Sequence, residues 1–163
     1  IWQNPSNQVP PSFFMDVSLE QVQTSEQWEA YHALRRTILF ERRAQFGVYD
    51  ANHPDDRRDN HHPMVLRYGD QYVGVIRIDL DTESETAYFR RVAIAEDLQR
   101  KGFGAHLMRL AEEFAASKGF SRFAASVAKD AIPFYQKLGY HFADEENYQK
   151  QDDPLMIKGL SGN

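Results

Sequence analysis

A run of strand character, Ala87 to Ile94, and a helical period carried by Leu107, Leu110, Ala111, Phe114 and Ala115 are joined through Gln99-Arg100-Lys101-Gly102-Phe103-Gly104. A further strand run, Phe120 to Val127, follows the helix, with Gly119 as its stop. Strand, helix and strand in that order make a crossover, and a crossover forces the two strands to lie parallel. Amide N–H groups at such a turn emerge unpaired at the positive end of the helix dipole, which makes the turn an anion site. Glycines at 102 and 104 let an anion's oxygens approach the main chain. Charge-assisted hydrogen bonds contribute about 1.5–3 kcal/mol each, so three or four would supply much of a micromolar affinity.

Two glycines also simply make a tight turn, and context has to decide. No Gly-Lys-Ser/Thr follows, which excludes a Walker loop; the third glycine position of a dinucleotide fingerprint is Leu107, and no ribose-binding acid stands near Ala124.

Phe13, Phe14, Met15, Val17 and Leu19 read as a first strand, and Thr24 with Gln27 as a capping box opening a helix. Trp28, Tyr31, Leu34, Ile38 and Leu39 continue it toward a stop near Gly47. Residues 50–63 are polar and without period, a loop. Met64 to Tyr68 and Tyr72 to Ile78, separated by Gly69 and Asp70, predict a hairpin, and Asp81 to Glu85 a polar connection. Ala131 to Leu138 reads as a helix ended by Gly139, and Leu155 to Leu160 as a last strand. The fold class expected is α/β: a single domain with a mixed, mostly antiparallel central sheet flanked by helices. Residues 1–12, with Pro5, Pro10 and Pro11, read as a flexible arm, and 13–163 as the domain. The chain opens on Ile1, which reads as a trimmed start.

At 163 residues there is room for one ordinary domain. A net charge of −5 argues against a nucleic-acid partner held by overall field. The lack of cysteine removes disulfides, thiolate nucleophiles and Cys-based zinc sites, and suits a cytoplasmic protein. No window approaches the roughly 18 apolar residues of a membrane span, so no membrane partner is expected.

Gln99, Gly102 and Gly104 match in full the pyrophosphate motif of the GNAT superfamily of acyl-CoA-dependent N-acyltransferases, Arg or Gln, two residues, Gly, one residue, Gly or Ala. Phe134-Tyr135-Gln136-Lys137-Leu138-Gly139-Tyr140 resembles that family's second signature, and Arg91-Val92-Ala93-Ile94 its pantetheine-pairing strand. The resemblance runs from about Met64 to Tyr140. It implies acetyl-CoA as donor co-substrate, no metal, a primary amine acceptor of unknown identity, and a wedge between the two parallel strands that takes the cofactor arm. Homodimers are common in the family. The cofactor-binding residues implied are Val92, Ala93, Ile94, Gln99, Arg100, Lys101, Gly102, Phe103 and Gly104.

Direct attack on a thioester needs a neutral amine, an oxyanion donor and a proton for the departing thiolate. Tyr135 resembles the family's general acid, although beside Phe134 it also reads as a core residue. The oxyanion donor implied is the backbone N–H of Ala93 or Ile94, where the family strand bulges. A lysine-like amine costs roughly 4–5 kcal/mol to deprotonate at neutral pH, so a base is wanted. Many relatives carry a glutamate on this strand; here Tyr88, Phe89, Arg90 and Arg91 stand in that stretch. Glu83 and Glu85, just before that strand, are taken as catalytic candidates acting through water, with Tyr88 as alternative and solvated surface as the bland reading. Ala128 replaces an asparagine common in relatives.

His53, Asp55, Asp56, Asp59, His61 and His62 have ligand chemistry, but their spacing matches no zinc signature, and adjacent His61 and His62 point differently. Their loop, with Phe46 and Tyr49, is expected to border the acceptor pocket. Arg35, Arg36, Arg42 and Arg43 are expected on a solvated helix face. An N-acetyltransferase is the function expected; a non-catalytic acyl-CoA sensor of the same fold is the alternative, and a metal hydrolase using the His and Asp loop a third.

Overall fold

The structure is a computed structural model that describes residues 16–40 and 50–159. The arm at 1–12, Phe13 to Met15, Arg42, Arg43, Phe46, the stop at Gly47, Tyr49 and Leu160 lie outside the described residues.

Seven strands, β1 Val17–Gln21, β2 His61–Tyr68, β3 Gln71–Asp81, β4 Thr86–Ile94, β5 Arg122–Ser126, β6 His141–Phe142 and β7 Leu155–Gly159, form one sheet in the order β1-β2-β3-β4-β5-β7-β6. Every pairing is antiparallel except β4 with β5, as the crossover required. The expected mixed α/β sheet is the one observed.

Helix α1, Ser25–Leu34, starts at the expected capping box: Thr24 accepts from the Gln27 amide while the Gln27 side chain accepts from the Thr24 amide. It runs into a π-helical turn, Arg35–Phe40. Helix α2, Phe103–Ser117, ends where Gly119 takes φ 93° and the Phe120 amide reaches back to the Ala115 carbonyl. Helix α3, Ile132–Lys137, ends in the same way: Gly139 takes φ 95° and the Tyr140 amide bonds the Tyr135 carbonyl.

The two faces of the sheet are read off β3 by its period of two. Ile76, Ile78 and Leu80 join Leu107, Met108, Ala111 and Ala115 of α2 in the larger core. Val75 joins Val65, Ala93 and Tyr31 of α1 in the smaller one. Each large side chain so buried contributes roughly 1.5–3 kcal/mol.

Three expectations need correction. β2 starts at His61, inside the segment read as loop, and β3 continues past Ile78 to Asp81. Arg77 and Asp79 stay in the strand because their charges meet each other there. Arg35, expected on a solvated face, is 9% exposed and donates to the Tyr31 hydroxyl at 3.0 Å. Among the described residues no helix is long and apolar enough to cross a membrane.

Candidate active site

β4 and β5 pair only at Ala87 with Phe123 and Tyr88 with Ala124. Beyond that point β4 carries an extra residue. Val75 opposes Ala93 and Arg77 opposes Arg90, leaving Arg91 and Val92 across from Ile76 alone, with Arg91 at φ 55°. A bulge of this kind bends its strand and ends pairing. The strands part into a cleft of about 750 Å³, lined by Val92 to Ile94 on one side and Ser126 to Ala128 on the other.

Main-chain direction in the cleft follows from alternation along β4. The Ala95 amide donates to the Val73 carbonyl on β3 at 2.8 Å. The Ile94 amide, one residue earlier, therefore faces away from β3, toward the gap left by β5. Its carbonyl faces the same way and accepts from the Gln99 side chain at 2.9 Å. Gln99 thus ties the turn to the strand end, and the Ala93 amide turns back to β3.

The turn between β4 and α2 delivers the helix N-terminus to this cleft. Gly102, at φ 94°, is the N-cap, and no side chain caps the helix. Gln99, Arg100, Gly102, Gly104 and Ala105 line the cleft. Gly104 has a packing reason as well: a Cβ there would lie 3.3 Å from Phe134 Cζ. Phe103 is 1% exposed, with its ring 5.2 Å from that of Tyr68, so any contact it makes with a ligand is through its main chain. Among the described residues lining the cleft Lys101 is not found. The space, the uncapped amides and the Arg100 guanidinium fit a diphosphate with an elongated tail.

Tyr135 lines the same cleft from α3. It is 7% exposed, with its ring edge-on to those of Phe134 and Tyr140 at 5.3 and 5.4 Å. Burial pushes its phenol up to about 12. The raised phenol carries its proton at neutral pH, and it makes no hydrogen bond to another described side chain. Ala128 lines the cleft with a methyl group where an amide was the alternative.

Glu83 and Glu85 are not brought to this cleft. Both are exposed in the turn before β4. Eight residues of strand, Thr86 to Ala93, separate Glu85 from Ile94, ~25–30 Å of extended chain.

Glu83 instead borders a second, polar cleft of about 670 Å³ on the α1 face, with Tyr88 and Arg90 of β4. Its floor is a charge network. Arg77 donates to both oxygens of Asp79, at 2.8 and 2.9 Å, and reaches Asp56 at 3.4 Å. Asp56 also accepts from the Tyr31 hydroxyl at 3.0 Å. Burial first, then the Asp56 charge and hydrogen bond, raise the Tyr31 phenol well above its usual range, against the lowering effect of Arg35. His61 bonds the Asp55 carbonyl through Nδ1 at 2.7 Å and lies 3.6 Å from Asp79. His62 turns to the opposite face, its ring 5.3 Å from that of Phe114. Among the described residues no three His, Cys, Asp or Glu side chains converge on a metal position. Arg77-x-Asp79 was the signal for this network, two opposite charges at strand spacing.

Residues 22–140 match the model of the acetyltransferase (GNAT) family. Among curated proteins, the uncharacterized protein YyaT of Bacillus subtilis (strain 168) is 25% identical over 132 residues, 80% of this chain and 87% of that one. Probable N-acetyltransferase 14 of Xenopus tropicalis is 28% identical over 74 residues, 44% of this chain. The match spans 36% of the Xenopus protein, about a third of its length. A candidate N-acetyltransferase of Lactobacillus plantarum superposes at TM-score 0.72 and 24% identity, covering 88% of this chain and 98% of that one. PaiA N-acetyltransferase of Thermoplasma acidophilum, solved in complex with coenzyme A, does so at TM-score 0.68 and 16% identity, over 89% and 99%. At these identities the likeness is one of fold.

Proposed function

The chain belongs to the acetyltransferase (GNAT) family, and from that premise we propose that it transfers an acyl group, acetyl in the first instance, from acyl-CoA to a primary amine of a small molecule or protein by direct attack. The observation that carries the reading is the parting of β4 from β5 at a bulge, beside an uncapped helix N-terminus. The coenzyme A bound by the Thermoplasma neighbour supports the same choice of co-substrate. Bound acyl-CoA would supply the activated acyl group as its thioester.

The chain's own residues hold, orient and protonate. The leading amides of α2, uncovered at Gly102 and Gly104 and assisted by Arg100, hold the diphosphate, and Lys101, outside the cleft lining, contributes through its main chain and its charge. Val92, Ala93 and Ile94 present a strand edge to the pantetheine arm. The Ile94 amide, aimed into the cleft, is the donor for a developing oxyanion, in preference to that of Ala93. Tyr135 keeps its proton at the phenol oxygen until a thiolate leaves. For the amine's proton, Tyr88 stands at the last bridge between β4 and β5, whereas Glu83 and Glu85 stand a strand's length from Ile94. The same reading has the protein act in the cytoplasm, as monomer or homodimer, without a metal.

Calorimetry with acetyl-CoA, followed by thiol release against an amine library, tests this. Micromolar binding and acceptor-dependent thiol are expected. Tight binding with no acceptor-dependent thiol would favour a sensor, a reading supported by the lack of a β4 carboxylate in the cleft. No binding would end both.

A further inference from the structure

We infer that Arg90 docks a carboxylate on the acceptor, so that the amines acylated here are amino-carboxylates with the two groups a few bonds apart; the inference rests on the acyltransferase reading above. On the α1 face, β3 and β4 carry two arginines in register, Arg77 and Arg90, and both approach Asp79. Their circumstances are opposite. Arg77 is fully engaged, bidentate to Asp79 and in reach of Asp56, with a side chain 10% exposed. Arg90 has only its Nε near Asp79 Oδ2, at 3.5 Å, and its side chain is 41% exposed. Its guanidinium carbon sits 4.8 Å from the Tyr88 ring centroid.

Asp79 therefore orients Arg90 by charge and does not use its fork. The terminal Nη atoms of Arg90 make no hydrogen bond to any described residue, and they face a cleft of about 670 Å³. Other charges around that cleft have partners. Asp55 meets Arg58 at 3.0 Å, Asp56 and Asp79 share Arg77, and Asp81 accepts from Ser84 and the Glu83 amide within its own turn. Asp59 and Glu83 stay exposed at the rim, where water screens them. Arg58 and Arg90, each held only through its Nε, are the cations in the cleft whose terminal donors remain available among the described residues; Arg58 stands at the exposed rim, and Arg90 is the one on β4 beside the bulge.

A planar fork of parallel N–H donors matches a carboxylate in geometry as well as charge, and an ammonium in neither. Position supplies the second half. Arg90 immediately precedes the bulge at Arg91 and Val92, where the strands open toward Tyr135. A carboxylate held at Arg90 leaves an amine on the order of 5–8 Å away, within two strand residues of the cleft mouth. Stacked Tyr88 restrains the guanidinium, which lowers the ordering cost of binding.

The test compares three acceptors of one carbon skeleton with acetyl-CoA: an α-amino acid, its carboxamide, and the amine lacking the carboxyl group. In wild-type protein kcat/KM for the amino acid is expected to exceed that for the carboxamide by about 10–100-fold. In Arg90→Gln that ratio collapses to about threefold or less, chiefly through KM, and Arg90→Lys keeps an intermediate ratio because charge remains and the fork is lost. A ratio within one enzyme is not moved by a general loss of folding or turnover. A wild-type preference for the carboxamide or the plain amine, or a ratio unaltered by Arg90→Gln, overturns the inference while leaving acyl transfer intact. Acetyl-CoA binding with no thiol released by any amine removes the acyltransferase reading, and the carboxylate assignment with it.

Discussion

Phe134 lies where a side chain at Gly104 would begin: its Cζ and Cε1 are 3.3 and 3.4 Å from the position of a Cβ. The glycine that frees main chain for an anion therefore also lets α3, which carries Tyr135, close against α2. Gly104→Ala needs a shift of only a few tenths of an ångström and should be nearly neutral. Gly104→Val adds branching against an aromatic ring, with an expected stability loss of about 1–3 kcal/mol and at least about tenfold weaker acetyl-CoA binding. Urea denaturation and calorimetry on the two variants check this, and unaltered affinity in the valine variant would count against the diphosphate site.

Tyr135→Phe tests the proton donor. Burial holds the phenol protonated at neutral pH, and removing the hydroxyl takes away the proton without opening a cavity. Turnover should fall about 10²-fold or more with acetyl-CoA affinity little changed. Full turnover in the variant would return Tyr135 to the role of a core aromatic between Phe134 and Tyr140.

Glu83→Gln with Glu85→Gln should keep turnover within about twofold. Both carboxylates are exposed at the start of β4, and a proton passed from them to the cleft mouth would have to cross most of that strand. A loss of tenfold or more, with a shifted pH–rate profile, would restore them as the source of the base.

What the sequence made legible is what local chemistry dictates. The capping box at Thr24, the stops at Gly119 and Gly139, and the turn at Gly69 each depend on a few neighbouring residues. The parallel pair followed from the strand-helix-strand order. The bulge left no sequence mark, because Arg91 adopts φ 55° without being glycine and is held there by the register against β3. Strand continuation through Arg77 and Asp79 was hidden for a related reason: two charges read as the end of an apolar run until their mutual pairing is known. Glu83 and Glu85 were close to the site in sequence only, since a strand carries its first and last residues far apart. Arg90 was counted as a missing glutamate, and its reach into the second cleft depends on Asp79 across the strand pair.

Arg77→Ala should destabilise the fold by about 3–5 kcal/mol, because it leaves Asp56 and Asp79 buried without their common cation. Arg77→Met combined with Asp56→Asn and Asp79→Asn removes the charges together and should recover most of the loss. Denaturation midpoints distinguish the two variants. Equal loss in both would mean that packing, and not an orphaned charge, is what Arg77 supplies.

Alkaline pH should unfold this protein through its tyrosines. Burial is the largest cause that raises Tyr31, Tyr135 and Tyr140 above an ordinary phenol, with Asp56 adding to it at Tyr31 and Glu112 at Tyr140. A group whose folded pKa is raised is bound more tightly to its proton in the native state. Below about pH 10 the phenols are protonated in both states and the full stability is present. As pH rises further, the unfolded chain loses those protons first, so stability declines; for Tyr135 the decline runs from about pH 10 to about 12. That interval corresponds to roughly 3 kcal/mol for Tyr135 alone. Urea midpoints should therefore hold steady up to about pH 9.5 and fall from there. In Tyr135→Phe the slope should be shallower, since one of the three linked protons is gone. A wild-type midpoint independent of pH between about 9 and 11 would mean that these phenols titrate as if exposed, which their burial against Phe134, Glu112 and Asp56 does not allow.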